Sequence, residues 1–312
     1  MITAGVPWSF KKHNTEIVNL FTKRTSFGVR FVIFVRKVVN NHKTVIDKLF
    51  NLRYNNKNTI GEVDEVPRFF VTSDQIDNGL VTVRGDDAHH ISRSLRMAAG
   101  EHITVCDSAA NEYECALAEF LPDCVRCKIL TVKKQETEPP CRITLYQALP
   151  KGDKLDTVIQ KSVECGASVI VPFESARCIV RAKPEAEQKK RERRLRIAGE
   201  AAKQCGRGVL PRVEATVGFS EMLSLAKKAD LVLFCFEGEG TEPISRILAQ
   251  NKPQAGQDIA LIVGSEGGFS LAEAEQALAA GFRMTGLGKR ILRTETAPIF
   301  ALACISAALE LQ

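Results

Sequence analysis

Two rhythms of apolar and polar residues run along the chain. Between residues 67 and 132 the apolar runs are short and strand-like, separated by turn residues. Residues 68–71, 79–83, 102–107, 113–120 and 125–132 predict five strands, with Asn78-Gly79 and Gly85-Asp86 marking turns. A helical stretch at 88–97 interrupts them and ends before Ala99-Gly100. Many short strands packed so closely predict a small barrel. Residues 133–140 are polar and end in Pro139-Pro140, which predicts a linker. After Pro140 the rhythm changes. Strands at 143–148, 168–171, 231–236 and 259–263 alternate with helices at 153–165, 185–205, 219–229, 271–280 and Ala297–Leu309. The 153–165 helix carries Leu155, Val158, Ile159 and Ser162 on one face. The charged 185–205 helix carries Ala198, Ala201, Ala202 and Cys205. Ser270 and Glu273 form a capping box that opens the 271–280 helix. Strands without polar alternation, joined by helices, predict an α/β fold with a parallel sheet covered on both faces.

Residues 1–66 follow neither rhythm. They are rich in Asn, Lys and Phe, with Asn40, Asn41, Asn51, Asn55, Asn56 and Asn58 crowded together. A strand is predicted at 29–39 and a short helix at 45–52. This leader is expected to be a poorly ordered extension, or sequence translated upstream of the working start; the alternative is a basic tail that touches RNA. The predicted organisation is therefore a leader over 1–66, a barrel over 67–137 and an α/β domain over 138–312.

Charge sharpens that division. The 312 residues carry 43 Lys and Arg against 37 Asp and Glu, a net of +6. Residues 1–66 hold eleven of the basic and five of the acidic groups, so the body carries 32 of each and is neutral. Net charge is then no argument for a nucleic-acid partner, which must rest on local patches. No run of 18 uncharged apolar residues occurs, so no spanning helix is predicted. The first ten residues lack the order of a secretory signal. Ten irregularly spaced cysteines read as reduced thiols, and a cytoplasmic location is expected. Cys124 and Cys127 make one Cys-x-x-Cys without a second pair, which reads as two strand or turn cysteines and not as a metal site.

The sharpest local signal follows the 259–263 strand: Gly264-Ser265-Glu266-Gly267-Gly268-Phe269-Ser270. Three glycines at the carboxyl end of a buried strand let backbone approach a ligand, although a tight strand-to-helix turn needs them equally. Neither the Gly-x-Gly-x-x-Gly fingerprint nor a phosphate loop is present. Two further loops, Glu237-Gly238-Glu239-Gly240 and residues 287–297, are placed to share the same sheet edge. A pocket of backbone and small side chains suits an adenosine-bearing cofactor held by amides. Glu295, near the start of the last helix, reads either as a functional group or as a carboxylate favoured by the helix dipole.

These stretches resemble the two signatures of the RsmE family, the uridine-N3 methyltransferases of small-subunit ribosomal RNA in the SPOUT class. The likeness extends over the body. Residues 67–71 resemble the family's amino terminus. His89-His90-Ile91, Leu95-Arg96 and Gly100-Glu101 resemble its early motif. Lys151-Gly152-Asp153-Lys154, Lys161, Glu164, Gly166 and Pro172 resemble the opening of its catalytic domain, and residues 200–207 with Pro211 its central helix. Ser265 stands where the family usually has proline, Cys165 where it usually has leucine, and the leader is additional.

The resemblance implies a PUA-like barrel, a knotted α/β methyltransferase domain and a homodimer. It implies S-adenosylmethionine bound by Gly238, Gly264, Glu266, Gly267, Gly268, Leu287, Gly288, Ile291, Leu292, Arg293 and Thr294, with no metal. It further implies methylation of uracil N3 in 16S rRNA on the small subunit. Arg293 is then expected to stabilise charge on the uracil carbonyls, and Glu295 to accept the N3 proton or orient the base. RNA contacts are expected from Arg68, Arg84, Arg93 and Arg96 on the barrel, and from Lys151, Lys154, Arg207 and Arg246 around the mouth. The basic run at 189–196 reads either as a further RNA contact or as a solvated helix face. Two other functions stay open: methylation of a different RNA position by the same class of enzyme, and a non-catalytic RNA-binding assembly factor. A nicotinamide oxidoreductase would lack its fingerprint loop.

Overall fold

The computed structural model describes residues 15–24, 30–38, 66–109, 111–182 and 184–311. Two units are distinct, Met1–Asp64 and Glu65–Gln312. In the first, β1 (Thr15–Arg24) and β2 (Arg30–Val38) pair antiparallel. β2 occupies the strand expected at 29–39. The helix expected at 45–52 lies outside the described residues.

In the second unit, β3 (Arg68–Phe70), β4 (Ile76–Asp77), β5 (Leu80–Arg84), β6 (His102–Cys106), β7 (Asn111–Phe120) and β8 (Cys124–Lys134) form one sheet in the order β3-β6-β7-β8-β5-β4. Only β3 and β6 run parallel. Alternate residues point inward: Val81 and Val83, Ile103 and Val105, Cys115 and Leu117, Val125 and Cys127 close on a core shared with Phe69 and Ile91. A sheet whose strands surround one core in this way is barrel-like, as the close run of short strands predicts. The helix expected at 88–97 begins earlier, as α1 (Gly85–His89), and widens into a π turn over His90–Ser94. Cys124 and Cys127 both lie on β8. A separation of three residues puts them on opposite faces of the strand, so they do not form a joint ligand pair. Burial pushes the Cys127 thiol up to about 12.

The second layer system is a parallel sheet of β9 (Arg142–Ala148), β10 (Val169–Glu174), β11 (Arg212–Val213), β13 (Leu231–Cys235), β14 (Glu242–Pro243), β15 (Asp258–Val263) and β16 (Arg283–Gly286), ordered β11-β10-β9-β15-β13-β16-β14. The short β12 (Val217–Gly218) also pairs with β10. Ile259 to Val263 of β15 are all buried, and each of Ile259, Leu261, Ile262 and Val263 contributes about 1.5–3 kcal/mol of transfer free energy. The helices are α2 (Lys154–Glu164), α3 (Pro184–Cys205), α4 (Phe219–Ala226), α5 (Ile244–Asn251), α6 (Leu271–Ala279) and α7 (Ala297–Leu309). Small buried Ala198, Ala201 and Ala202 let α3 approach its neighbours closely. No described helix is long and apolar enough to cross a membrane.

Contacts between the barrel and the parallel-sheet region are specific. Lys203 on α3 bonds Asp87 at 2.8 Å and lies over the Phe69 ring at 5.4 Å. Glu138, in the stretch joining the two, accepts from Arg207 Nη2 at 2.6 Å and from the amides of Gly208 and Val209.

Candidate active site

Parallel strands end together. Because β15, β13 and β16 are neighbours in the sheet, the loops that leave Val263, Cys235 and Gly286 emerge side by side at its carboxyl edge. They line a cleft of about 720 Å³. Gly238, Gly264, Glu266, Gly267, Gly268, Leu287, Gly288, Ile291, Leu292, Arg293 and Thr294 all face it, so the structure brings the expected cofactor residues to one place.

Local geometry explains the glycines. At Gly264 a side-chain carbon would stand 3.2 Å from the Gly268 Cα and 3.2 Å from the Phe269 ring, so the turn or the ring would have to give way to admit it. The following turn closes through Gly268 N to Ser265 O at 2.9 Å, and Gly268 takes φ +62, a left-handed conformation that glycine adopts at little cost. Phe269 then buries its ring against Phe234 and Phe173, and Ser270 caps α6 by accepting from Glu273 N.

The 264–268 and 287–294 loops are tied to each other. Thr294 Oγ1 donates to Gly264 O at 2.8 Å. Gln147, at the end of β9 and fully buried, donates through Nε2 to Thr294 Oγ1 at 3.1 Å, Gly264 O at 3.3 Å and Ala148 O at 3.1 Å. Sequence reasoning did not mark Gln147. Its only signal is a polar residue near the end of the strand, between Tyr146 and Ala148.

Carboxylates and cations meet at one wall. Glu266 Oε1 accepts from Lys154 Nζ at 2.9 Å and from the Lys151 amide at 3.1 Å. Burial pushes the Glu266 carboxyl up, but the Lys154 ammonium and the backbone amides outweigh it and hold the group below its ordinary range. The hydrogen bond to Glu266 likewise raises Lys154, helped by Glu295. Glu295 Oε2 lies 3.4 Å from Lys154 Nζ but makes no hydrogen bond, and Arg293 Nη1 lies 4.0 Å from Glu295 Oε1. The N-cap of α7 is Thr296, without a side-chain cap bond, and Glu295 stands one residue before it. Arg293 is 83% exposed at the rim. Burial pushes the Cys235 thiol in the cleft wall up to about 12, which keeps it protonated.

The expected RNA contacts divide. Arg84, Arg93, Arg96, Lys151 and Arg246 are exposed. Arg207 is corrected: it is 3% exposed, and its guanidinium is consumed by Glu138, Val163 O and Ala167 O. Arg68 is also turned inward, onto Glu112 at 2.9 Å and Cys106 Sγ at 2.8 Å, and is not a surface cation. Lys154 is engaged by Glu266, which lines the cleft, and by Glu295, which lies behind the lining residues. In the basic run, Arg194 is buried on Glu187, Arg191 bonds Val213 O and Arg193 pairs with Asp156, which leaves Lys189, Lys190 and Arg196 facing solvent. Arg177, which sequence reasoning did not select, lines the cleft. Among the described residues no cluster of three or more His, Cys, Asp or Glu is arranged to hold a metal ion.

Comparison with known proteins bears on this cleft. The RNA methyltransferase domain family matches residues 137–306, and the RNA methyltransferase PUA domain family matches residues 83–119. The ribosomal RNA small subunit methyltransferase E of Bacillus subtilis is 34% identical over 262 residues, covering 83% of this chain and 97% of its own. That of Synechocystis sp. is 34% identical over 244 residues, 78% of each chain. The crystal structure of a ribosomal RNA small subunit methyltransferase E from Neisseria gonorrhoeae bound to S-adenosyl methionine superposes with a TM-score of 0.68 at 31% identity, over 78% of this chain and 98% of that one.

Proposed function

Because the chain belongs to the family of ribosomal RNA small subunit methyltransferase E proteins, we propose that it methylates N3 of one uridine in 16S rRNA, presented on the small ribosomal subunit. It is an S-adenosylmethionine-dependent rRNA methyltransferase. The observation that carries the reading is the meeting of three glycine-bearing loops on one cleft at the carboxyl edge of the sheet.

The residues present fit the cofactor. Gly238, Gly264, Gly267, Gly268, Gly286 and Gly288 bring backbone to the wall, Leu287 and Leu292 offer apolar surface, and a side chain at Gly264 would crowd the Gly268 backbone and the Phe269 ring. Ser265 also lines the cleft, and its buried hydroxyl has no hydrogen-bond partner within the protein. When bound, the cofactor supplies an electrophilic methyl group on a sulfonium. The protein's share is placement and charge. Arg293 is the donor that stabilises negative charge spreading to the uracil carbonyl oxygens, and Glu295, oriented by Lys154, accepts the N3 proton. The Lys154–Glu266 pair stays charged across neutral pH, since each partner's pKa is moved away from neutrality. A titration of the rate near neutrality then reports on the reacting groups and not on this pair.

RNA contact falls to Arg84, Arg93 and Arg96 on the PUA-like barrel, inferred to span 67–137, and to Lys151 and Arg246 on the methyltransferase domain, 138–312. The knot implied by the resemblance would include the 264–270 and 287–294 segments. A homodimer would use α7, which carries no charged residue and leaves Phe300, Ala303 and Ala307 exposed. Sedimentation should then give a dimer that Phe300→Glu weakens. A cytoplasmic location, beside the ribosomes, follows from the substrate.

Small subunits lacking the modification, incubated with the protein and methyl-labelled S-adenosylmethionine, should yield N3-methyluridine on nucleoside digestion. A 2′-O-methyl product, or cofactor binding without transfer, would overturn the proposal. In single turnovers Glu295→Gln should slow transfer by about 10²–10⁴-fold and remove a limb of the pH–rate profile. An unchanged rate and profile would take the proton-acceptor role from Glu295.

A further inference from the structure

We propose that Arg177 grips a phosphodiester of the RNA substrate and couples it to the cofactor loop through Gly267. The inference rests on the methyltransferase reading and adds a substrate contact to it.

The loop after β10 is built to hold one side chain in place. Cys178 N donates to Ser175 O at 3.1 Å, and Ser175 N donates to Cys178 Sγ at 3.4 Å. The Ala176 amide donates to Glu273 Oε1 at 2.6 Å, and Arg181 Nη1 donates to Ser175 O at 3.0 Å. Of this loop's described residues, Arg177 alone reaches the cleft. Its Nη1 donates to Gly267 O at 3.0 Å. A side-chain carbon at Gly267 would stand 3.0 Å from the Arg177 Cβ and 3.3 Å from its carbonyl oxygen, so glycine at 267 is what allows the arginine to lie across the loop.

Most of the guanidinium is unused. It carries five N–H donors, and one is committed to Gly267. Among the described residues no carboxylate lies within ion-pair distance of it, in contrast to Lys154 on the same cleft, which Glu266 and Glu295 engage. Lys289 and Arg290 on the 287–294 loop also line the cleft and are exposed. A planar fork with free donors at an open rim matches an anion with several acceptor oxygens. Two anions come to this cleft, the cofactor's carboxylate and the RNA backbone. Arg177 is itself exposed and is followed two residues on by Ile179, which is 71% exposed, so the loop faces outward toward a large partner. The body is neutral overall, so phosphate affinity must come from such local cations. N3 of a uridine is reached once the base leaves its stack, and extrusion carries the nucleotide's phosphates to the rim.

The test uses the full chain and compares Arg177→Ala and Arg177→Lys. Three quantities are measured: the KM for unmodified small subunits, their Kd as a function of salt, and the Kd for S-adenosylmethionine. Arg177→Ala should raise the KM roughly ten- to a hundredfold. It should reduce the salt slope of binding by about 0.7–0.9, the share of one phosphate, and weaken cofactor binding by far less than it raises the KM. Arg177→Lys should keep the slope and recover part of the KM, since the charge remains and the fork is lost. A weakened cofactor Kd with an unchanged salt slope would overturn the proposal in favour of the cofactor's carboxylate, and no change in any quantity would overturn it outright. Should the wild-type protein bind small subunits and transfer no methyl group, the methyltransferase reading falls, and the slope for Arg177→Ala still decides the phosphate contact.

Discussion

Replacing Arg207 with alanine is expected to destabilise the fold by about 3–5 kcal/mol, the cost of breaking a buried ion pair by removing one partner. Arg207 Nε and Nη2 bond Glu138 at 3.3 and 2.6 Å, and Nη1 reaches Ala167 O at 2.5 Å and Val163 O at 3.3 Å. The arginine thus joins the stretch before β9, the end of α2 and the turn after α3. Alanine would leave Glu138 with two backbone amides but no counter-charge, and Ala167 O without its side-chain donor. Lysine should not rescue it, because one ammonium cannot serve the carboxylate and both carbonyls in this planar arrangement. Urea unfolding of the full chain would show a lower midpoint with an unchanged slope. A loss below about 1 kcal/mol, the range of an exposed pair, would contradict the account. The measurement also separates structure from RNA contact: a surface phosphate ligand would lose affinity at constant stability.

Arg207 marks where sequence reasoning reached its limit. A cation directly after Gly206, at the end of a charged helix, has the look of a surface group. Its partner is 69 residues away, and nothing local announces the burial. Arg68 misleads in the same way, since Glu112 lies 44 residues off. The strands β13 and β15 were legible because burial on both faces makes them uninterrupted apolar runs. β16 was not. Arg283-Met284-Thr285-Gly286 carries no such run, and it becomes a strand through its neighbours β13 and β14. α5 went unmarked although Ile244, Ile247 and Leu248 sit at helical spacing, because eight residues make a weak period. The cleft was more legible than the fold around it. Its glycines are short-range requirements of backbone geometry, written where they act, whereas what binds one loop to the next is long-range.

Gln147 is the clearest case of that long-range kind, and its replacement should have the largest effect on the cofactor. Its Nε2 touches partners 117 and 147 residues away, and its Oε1 has no hydrogen-bond partner, so the carboxamide is held through nitrogen alone. Gln147→Leu preserves volume and removes the donors, leaving Thr294 and Gly264 to hold the two loops by one bond. Each buried group left without its partner costs about 1–3 kcal/mol, and every 1.4 kcal/mol is tenfold in affinity. The Kd for S-adenosylmethionine, measured by calorimetry, should therefore rise roughly ten- to a hundredfold. Gln147→Glu keeps the shape but sets a second oxygen against three oxygen acceptors. Burial raises the pKa of such a carboxyl, and its protonated form can donate one bond. The defect should thus be deepest at high pH and ease as pH falls through that raised pKa. Thr294→Ser, which keeps the hydroxyl, should bind nearly as the parent does, while Thr294→Val should resemble Gln147→Leu. Equal affinity for Thr294→Ser and Thr294→Val would show that the cleft does not depend on this tie between its loops.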